Sequence, residues 1–127
     1  MSPDGLYAAA RAAAARAHAP YSGLAVGAVV LDAAGRLHPG VNVECASYGL
    51  TVCAERAALA RAVTDGARDL VAVAVARADG EPISPCGACR QALAEIGPGV
   101  TVVFRAAAGL VRRPLADLLP DAFALPG

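Results

Sequence analysis

The chain has 127 residues, a length suited to one domain with a real core. Hydrophobic residues make up 57% of it and aromatic residues 4%, so the apolar content is mostly alanine and valine, well above what a disordered chain carries. Eleven Asp+Glu balance eleven Lys+Arg, every one of them arginine, and no basic block marks a nucleic-acid surface. No stretch approaches the roughly 18 apolar residues of a membrane span. The alanine-rich start is broken by Arg11 and Arg16 and lacks the order of a signal peptide. These features suit a cytoplasmic protein with a small, modestly charged ligand, where four cysteines stay reduced and are metal ligands or spectators. A core of small side chains closes by bringing backbones together, and surplus apolar surface suggests an oligomer.

In chain order, Pro3 to about Ala17 has high helix propensity and stops at Ala19-Pro20-Tyr21-Ser22-Gly23. Leu24–Leu31 and Arg36–Val43 flank the turn Asp32-Ala33-Ala34-Gly35 and predict a hairpin. Residues 44–51 are polar and irregular. Val52–Val63 reads as a helix ended by Asp65-Gly66. Leu70–Ala76 is the continuous β-branched run of a strand buried on both faces. A helix from about Cys86 to Ile96 follows Pro85, and Val100–Arg105 is a further strand. Gly109–Arg112 predicts a short edge strand and Leu115–Leu119 a last helical turn. The order α-β-β-α-β-α-β-β-α implies a mixed five-stranded sheet between helices, in a single domain over residues 1–127.

The chemistry concentrates at two helix starts. Cys86 and Cys89 stand at i and i+3 in Pro85-Cys86-Gly87-Ala88-Cys89, so both thiols can reach one ion. Cys53 opens the other helix, and unpaired N–H groups at a helix start favour the thiolate that binds zinc. Three protein ligands leave a position for water, as in catalytic zinc sites; a structural site has four. Cys45 would make the fourth in a non-catalytic four-cysteine module, but it has no C-x-x-C spacing to Cys53 and reads better as a small buried apolar residue. A lone C-x-x-C also occurs in redox sites. Cys53-Ala54-Glu55 combined with Pro85-Cys86-x-x-Cys89 is far more specific, for it matches the zinc-deaminase signature, in which the glutamate does not bind metal.

Hydrolytic deamination needs a nucleophilic water at cytosine C4 and protons at N3 and at the departing amine. Zinc lowers the pKa of a bound water, and Glu55 is placed to shuttle its proton. The bland alternative for Glu55 is a favourable charge in a first helical turn. Three thiolates leave the zinc site net negative; Arg56, and less directly Arg90, are candidates to offset that charge at the sulfurs.

With these residues in hand, the sequence resembles the small homotetrameric cytidine deaminases. The match runs in order through Ala19-Pro20-Tyr21-Ser22, Val26-Gly27-Ala28, Asn42-Val43-Glu44, Cys53-Ala54-Glu55-Arg56, Ser84 to Gln91 and Leu118 to Phe123. The resemblance implies an αβα sandwich and one zinc per subunit held by Cys53, Cys86 and Cys89. It implies cytidine and 2′-deoxycytidine as substrates, in pyrimidine salvage, and a homotetramer whose active sites are completed by neighbouring subunits. Asn42 and Glu44 are implied to bond the ribose 3′-hydroxyl, the Ala54 backbone to contact the base, Tyr48 to lie at the interface and Phe123 to reach a neighbour's pocket. The alternative for the first pair is local loop bonding, and for Phe123 a core anchor.

One departure stands out. Leu24 occupies the place where the family usually has a phenylalanine against the pyrimidine. The loss of an aromatic contact, about 0.5–1.5 kcal/mol, weakens binding roughly threefold to tenfold unless the pocket takes a bulkier base. A deaminase of a modified cytosine nucleoside such as blasticidin S is therefore the nearest alternative. Nucleic-acid editing fits poorly with the balanced charge, and a nucleotide phosphate would be a poor neighbour for Glu44. His18 and His38 fall outside the ligand pattern and are expected at the surface.

Overall fold

Ser2 starts the first helix. Its hydroxyl accepts the Gly5 N–H at 3.1 Å, and Pro3 follows at the first helical position, where a missing N–H costs nothing. In the computed structural model, which describes residues 1–126, helix α1 spans Pro3–Ala13 and runs into a 3₁₀ turn over Ala14–Arg16. The hairpin is present as β1 (Val26–Asp32) and β2 (Leu37–Val41), shorter at its open end than the sequence suggests. Asp32 shapes its turn, its Oδ1 accepting the Ala34 and Arg36 N–H groups at 2.9 Å. After a 3₁₀ turn at Tyr48–Leu50 come α2 (Ala54–Thr64), β3 (Leu70–Arg77), α3 (Gly87–Ile96), β4 (Thr101–Ala106), β5 (Gly109–Pro114) and the short α4 (Leu115–Leu118).

The five strands form one mixed sheet in the order β2-β1-β3-β4-β5. Only β3 and β4 run parallel, pairing Ala72 with Thr101 and Ala74 with Val103; the other neighbours are antiparallel. The central strand β3 is buried from Ala72 to Ala76. Its period of two assigns the faces. Ala72, Ala74 and Ala76 pack with Leu6 and Ala10 of α1, while Val73 and Val75 pack with Ala58, Leu59 and Leu93 of α2 and α3. Three αβα layers result.

Small residues set how close these layers come. Gly27 faces α1 so tightly that a Cβ there would stand 2.1 Å from the Ala10 carbonyl oxygen. Gly40 faces α2, where a Cβ would stand 2.2 Å from the Ala58 backbone nitrogen. Both positions therefore require glycine for close backbone approach rather than for a special dihedral. Ala10, Ala28, Ala58 and Ala62 are fully buried, so the alanine-rich composition is spent on helix–sheet proximity. The consequence for function is positional: α2 and α3 lie on the same face of the sheet, and both present their N-termini to one spot.

One expectation is corrected. His38 is not a surface residue but 2% exposed, held between Asp32 and Asp65. Position 38 points from the edge strand β2 toward α2, and a histidine can be buried there because carboxylates meet both ring nitrogens. His18 does lie at the surface.

Candidate active site

Cys53 and Cys86 are the N-cap residues of α2 and α3. Both have extended backbones (φ −73°, ψ 152° and φ −69°, ψ 166°), and neither side chain caps its own helix. Their sulfurs turn to each other instead, 3.6 Å apart, and Cys86 Sγ lies 3.3 Å from Cys89 Sγ in the first turn of α3. All three sulfurs lie within 4.8 Å of one another, and none forms a disulfide. Tetrahedral zinc with Zn–S bonds of about 2.3 Å requires sulfurs roughly 3.8 Å apart, so this donor set fits one zinc ion. Cys45 is not part of the cluster. It is half-buried in the 44–51 loop, where its N–H donates to Thr51 Oγ1 at 3.2 Å.

The electrostatics refine the expectation that both helix starts ionise their thiols. The Cys86 thiol lies below its ordinary range: burial pushes it up, but the Cys89 N–H and the Cys89 and Cys53 thiols outweigh that. Cys89 goes the other way, because burial, and then the Glu55 carboxylate, push its thiol far up. Ionising Cys89 calls for a cation beside it, which a metal provides. Arg56 supplies fixed positive charge, its guanidinium Nη2 lying 3.6 Å from Cys53 Sγ. Its Nε is the sole buried side-chain polar atom without a partner among the described residues. Arg90, by contrast, does not serve the sulfurs; it donates to the Pro85 and Leu118 carbonyls, both at 2.8 Å. That clasp ties the approach to Cys86 to the C-terminal segment.

Glu55 occupies the second position of α2 and is 4% exposed. Burial raises its carboxyl above the usual range, against the lowering influence of its own N–H, the Cys89 thiol, Arg56 and the Cys86 N–H. A carboxyl held up by burial next to a thiol cluster suits proton transfer near neutral pH better than a surface acid does. Glu55, Cys53 and Cys86 form one wall of a cavity of ≈ 200 Å³ that Ala54, Leu24, Val26, Asn42 and Ile83 also line. Thr51 joins it to a second cavity of ≈ 380 Å³, which takes in Tyr21, Ser22, Glu44 and Tyr48. A larger cleft of ≈ 560 Å³ between α1 and β2 has no carboxylate, imidazole or thiol among its lining residues, so chemistry and not size selects the site.

Asn42 and Glu44 are both engaged with local backbone. Asn42 Nδ2 donates to the Leu24 carbonyl at 2.7 Å, and its Oδ1 accepts the Val26 N–H at 2.9 Å. Glu44 Oε1 accepts the Tyr21 and Ser22 N–H groups at 3.0 and 3.1 Å. Each keeps spare capacity: the Asn42 amide retains one N–H and the carboxylate a free lone pair. Tyr48 is 75% exposed and meets Tyr21 edge to face, with centroids 6.1 Å apart. Phe123 lies outside its own chain's cavity and is 64% exposed; its carbonyl accepts from Gln91 Nε2 at 3.0 Å. It is thus no core anchor. Thr51, Val52 and Ile83 also line the cavity and carry no sequence signal of a site, and Ser84, part of the matching stretch but given no role there, lines it too. The one available signal is that Ser84 immediately precedes Pro85.

Two helix starts that bring three thiols and a buried carboxyl together, with Cys86 at the exposed edge and Cys89 and Glu55 inside, make a metal-dependent hydrolytic site, and the comparisons with known proteins agree. Residues 2–105 match the model of the cytidine and deoxycytidylate deaminase zinc-binding region. The chain is 46% identical over 109 residues to a cytidine deaminase of Halalkalibacterium halodurans, covering 84% of this chain and 83% of that one. It is 46% identical over 114 residues to the cytidine deaminase of Mycobacterium tuberculosis, covering 89% and 83%. The crystal structure of cytidine deaminase from Burkholderia pseudomallei superposes with a TM-score of 0.89 at 45% identity, covering 97% of this chain and 100% of that chain. The chain belongs to the cytidine deaminase family of zinc-dependent hydrolytic enzymes.

Proposed function

We propose that the chain is one catalytic domain that hydrolyses cytidine and 2′-deoxycytidine to uridine and 2′-deoxyuridine with release of ammonia, as a step of pyrimidine salvage. The observation that carries this reading is the buried Glu55 carboxyl beside the Cys53, Cys86 and Cys89 sulfurs, on the wall of a cavity large enough for a pyrimidine.

Zinc held by the three thiolates supplies the Lewis acidity that makes water nucleophilic at neutral pH. The chain's own residues do the rest. The Glu55 carboxylate takes a proton from the attacking water and delivers it to N3 as the C4–O bond forms. It then carries the second proton to the exocyclic nitrogen, so that the C4–N bond breaks to give ammonia and the product carbonyl. Arg56 offsets the charge that three thiolates leave around a divalent ion. Leu24 packs against the base, and the Ala54 backbone contacts its edge. Asn42 has one N–H to give and Glu44 one lone pair to accept with, which together match a hydroxyl that both accepts and donates, as the ribose 3′-hydroxyl does.

The working form is a cytoplasmic homotetramer whose neighbours complete each site. Tyr48, Leu50, Phe123 and Leu125 are large and mostly exposed, apolar surface that neighbouring subunits would cover. Tyr48 lies at the subunit interface and Phe123 reaches the adjoining subunit's pocket. No helix among the described residues is long and apolar enough to cross a membrane.

The test is ammonia release from cytidine, 2′-deoxycytidine, 5-methylcytidine, blasticidin S and single-stranded DNA. Turnover of the first two is expected. A protein loaded with zinc that leaves cytidine intact would defeat the reading, and preference for blasticidin S would move it to the modified-nucleoside branch.

A further inference from the structure

The mouth of the cavity is organised around a side chain with no part in the chemistry. The Ser22 hydroxyl donates to Glu44 Oε2 at 2.5 Å and accepts the Leu24 N–H at 3.0 Å. It thus joins the residue assigned to the sugar with the residue assigned to the base. The Tyr21 and Ser22 N–H groups on Glu44 Oε1 fix the same carboxylate from its other oxygen. From the strand side, Asn42 holds the Leu24 carbonyl and the Val26 N–H. Leu24 is therefore clamped at its N–H by Ser22 and at its carbonyl by Asn42, while its side chain packs on the core.

The turn between them is built for this reach. Gly23 has φ +71° and closes on the Ala19 carbonyl at 3.1 Å, a conformation that brings the Leu24 N–H back to the hydroxyl two residues earlier. Ser22 is exposed at the mouth, makes no bond to a cysteine or to Glu55, and spends its donor and an acceptor wholly on this bridge. Residues that hold others in place at a binding site act through geometry, and a small displacement of a wall is felt in affinity first.

We propose that Ser22 is the positioning residue of the nucleoside pocket: its hydroxyl locks the Leu24 wall to the Glu44 rim so that base and sugar are gripped in one fixed relation. This assignment rests on the nucleoside reading of the cavity given above. It calls for a hydroxyl at position 22.

Steady-state kinetics on cytidine with Ser22→Ala and Ser22→Thr test it, with zinc content and thermal midpoint measured alongside. Ser22→Ala raises KM about fivefold to tenfold, the effect of losing one or two hydrogen bonds, while kcat stays within about twofold. Ser22→Thr, which keeps the hydroxyl, returns KM to within about twofold of the unaltered protein. A general structural role would instead lower kcat, zinc content and thermal midpoint together, and that pattern overturns the proposal. An unchanged KM in Ser22→Ala overturns it as well, and leaves the deaminase reading intact so long as the unaltered protein turns over cytidine. Absence of ammonia release by the unaltered protein overturns both.

Discussion

His38 Nδ1 stands 2.8 Å from Asp65 Oδ2, which ties the start of the edge strand β2 to the C-cap of the helix that carries Cys53 and Glu55. Asp32 Oδ2 meets the other ring nitrogen at 2.9 Å, so a buried imidazole bridges β1 and α2 through two carboxylates. The Asp32 hydrogen bond raises His38 above its ordinary value against burial, with Asp65 adding to it. The bond to His38 is also the main reason Asp32 falls to about 2 and Asp65 is lowered. A group whose folded value is raised contributes stability that is fully present below its unfolded value, about 6.5 for histidine, and lost as pH rises through the folded value. The two aspartates contribute stability that is present above about 4 and lost as pH falls toward their folded values. The thermal midpoint should therefore peak in mildly acidic to neutral solution and decline on both sides. In His38→Ala it should fall most where His38 is protonated, flattening the alkaline side of the curve. An unchanged profile in that variant contradicts the bridge.

Gly40 makes a second structural prediction. A methyl at this position meets the Ala58 backbone nitrogen at 2.2 Å and the Ala54 carbonyl oxygen at 2.7 Å, and backbone on both sides cannot yield cheaply. Gly40→Ala should cost about 1–3 kcal/mol or more in denaturant unfolding. Because α2 must shift to relieve the overlap, cytidine turnover should drop as well. Wild-type stability in this variant would mean that the layer spacing is not set here.

Cys45 and Cys86 differ in what they hold. Cys45→Ser should retain one zinc per chain and full turnover, since Cys45 lies outside the sulfur cluster. Cys86→Ser removes the sulfur that stands next to both others and should lose zinc and activity together. Metal content of the two purified variants decides the matter, and loss of zinc in Cys45→Ser would revive the four-cysteine module.

Leu24 lines the cavity proposed to admit the base. Leu24→Phe should lower the KM for cytidine roughly threefold to tenfold, the worth of an aromatic contact of about 0.5–1.5 kcal/mol. If KM rises instead, the cavity is sized for leucine, and bulkier cytosines become the substrates to try.

Much of this was legible in the sequence, for identifiable physical reasons. The continuous β-branched run of β3, the turn at Asp32–Gly35 and the prolines and glycines that end α1 and α3 are local signals, and each element stands within a few residues of its expected place. The cysteines and Glu55 were readable because a helix start fixes where its first side chains point. What the sequence hid was long-range. His38 looked like a surface residue because its partners are 6 and 27 positions away and only the sheet brings them together. Arg90 looked like a companion of Cys89 because they are adjacent, yet its reach is to Leu118 at the other end of the chain. The opposite shifts of Cys86 and Cys89 depend on burial and on Glu55, neither of which follows from their spacing.

In the proposed mechanism Glu55 moves the protons and does not hold the metal, two roles that Glu55→Gln separates. Zinc content and ammonia release from cytidine are measured on the same preparation. One zinc per chain should remain, because the three sulfurs are untouched, and turnover should fall by a factor on the order of 10² to 10⁴. Full turnover with zinc in place, or loss of zinc with the carboxylate, would contradict the account.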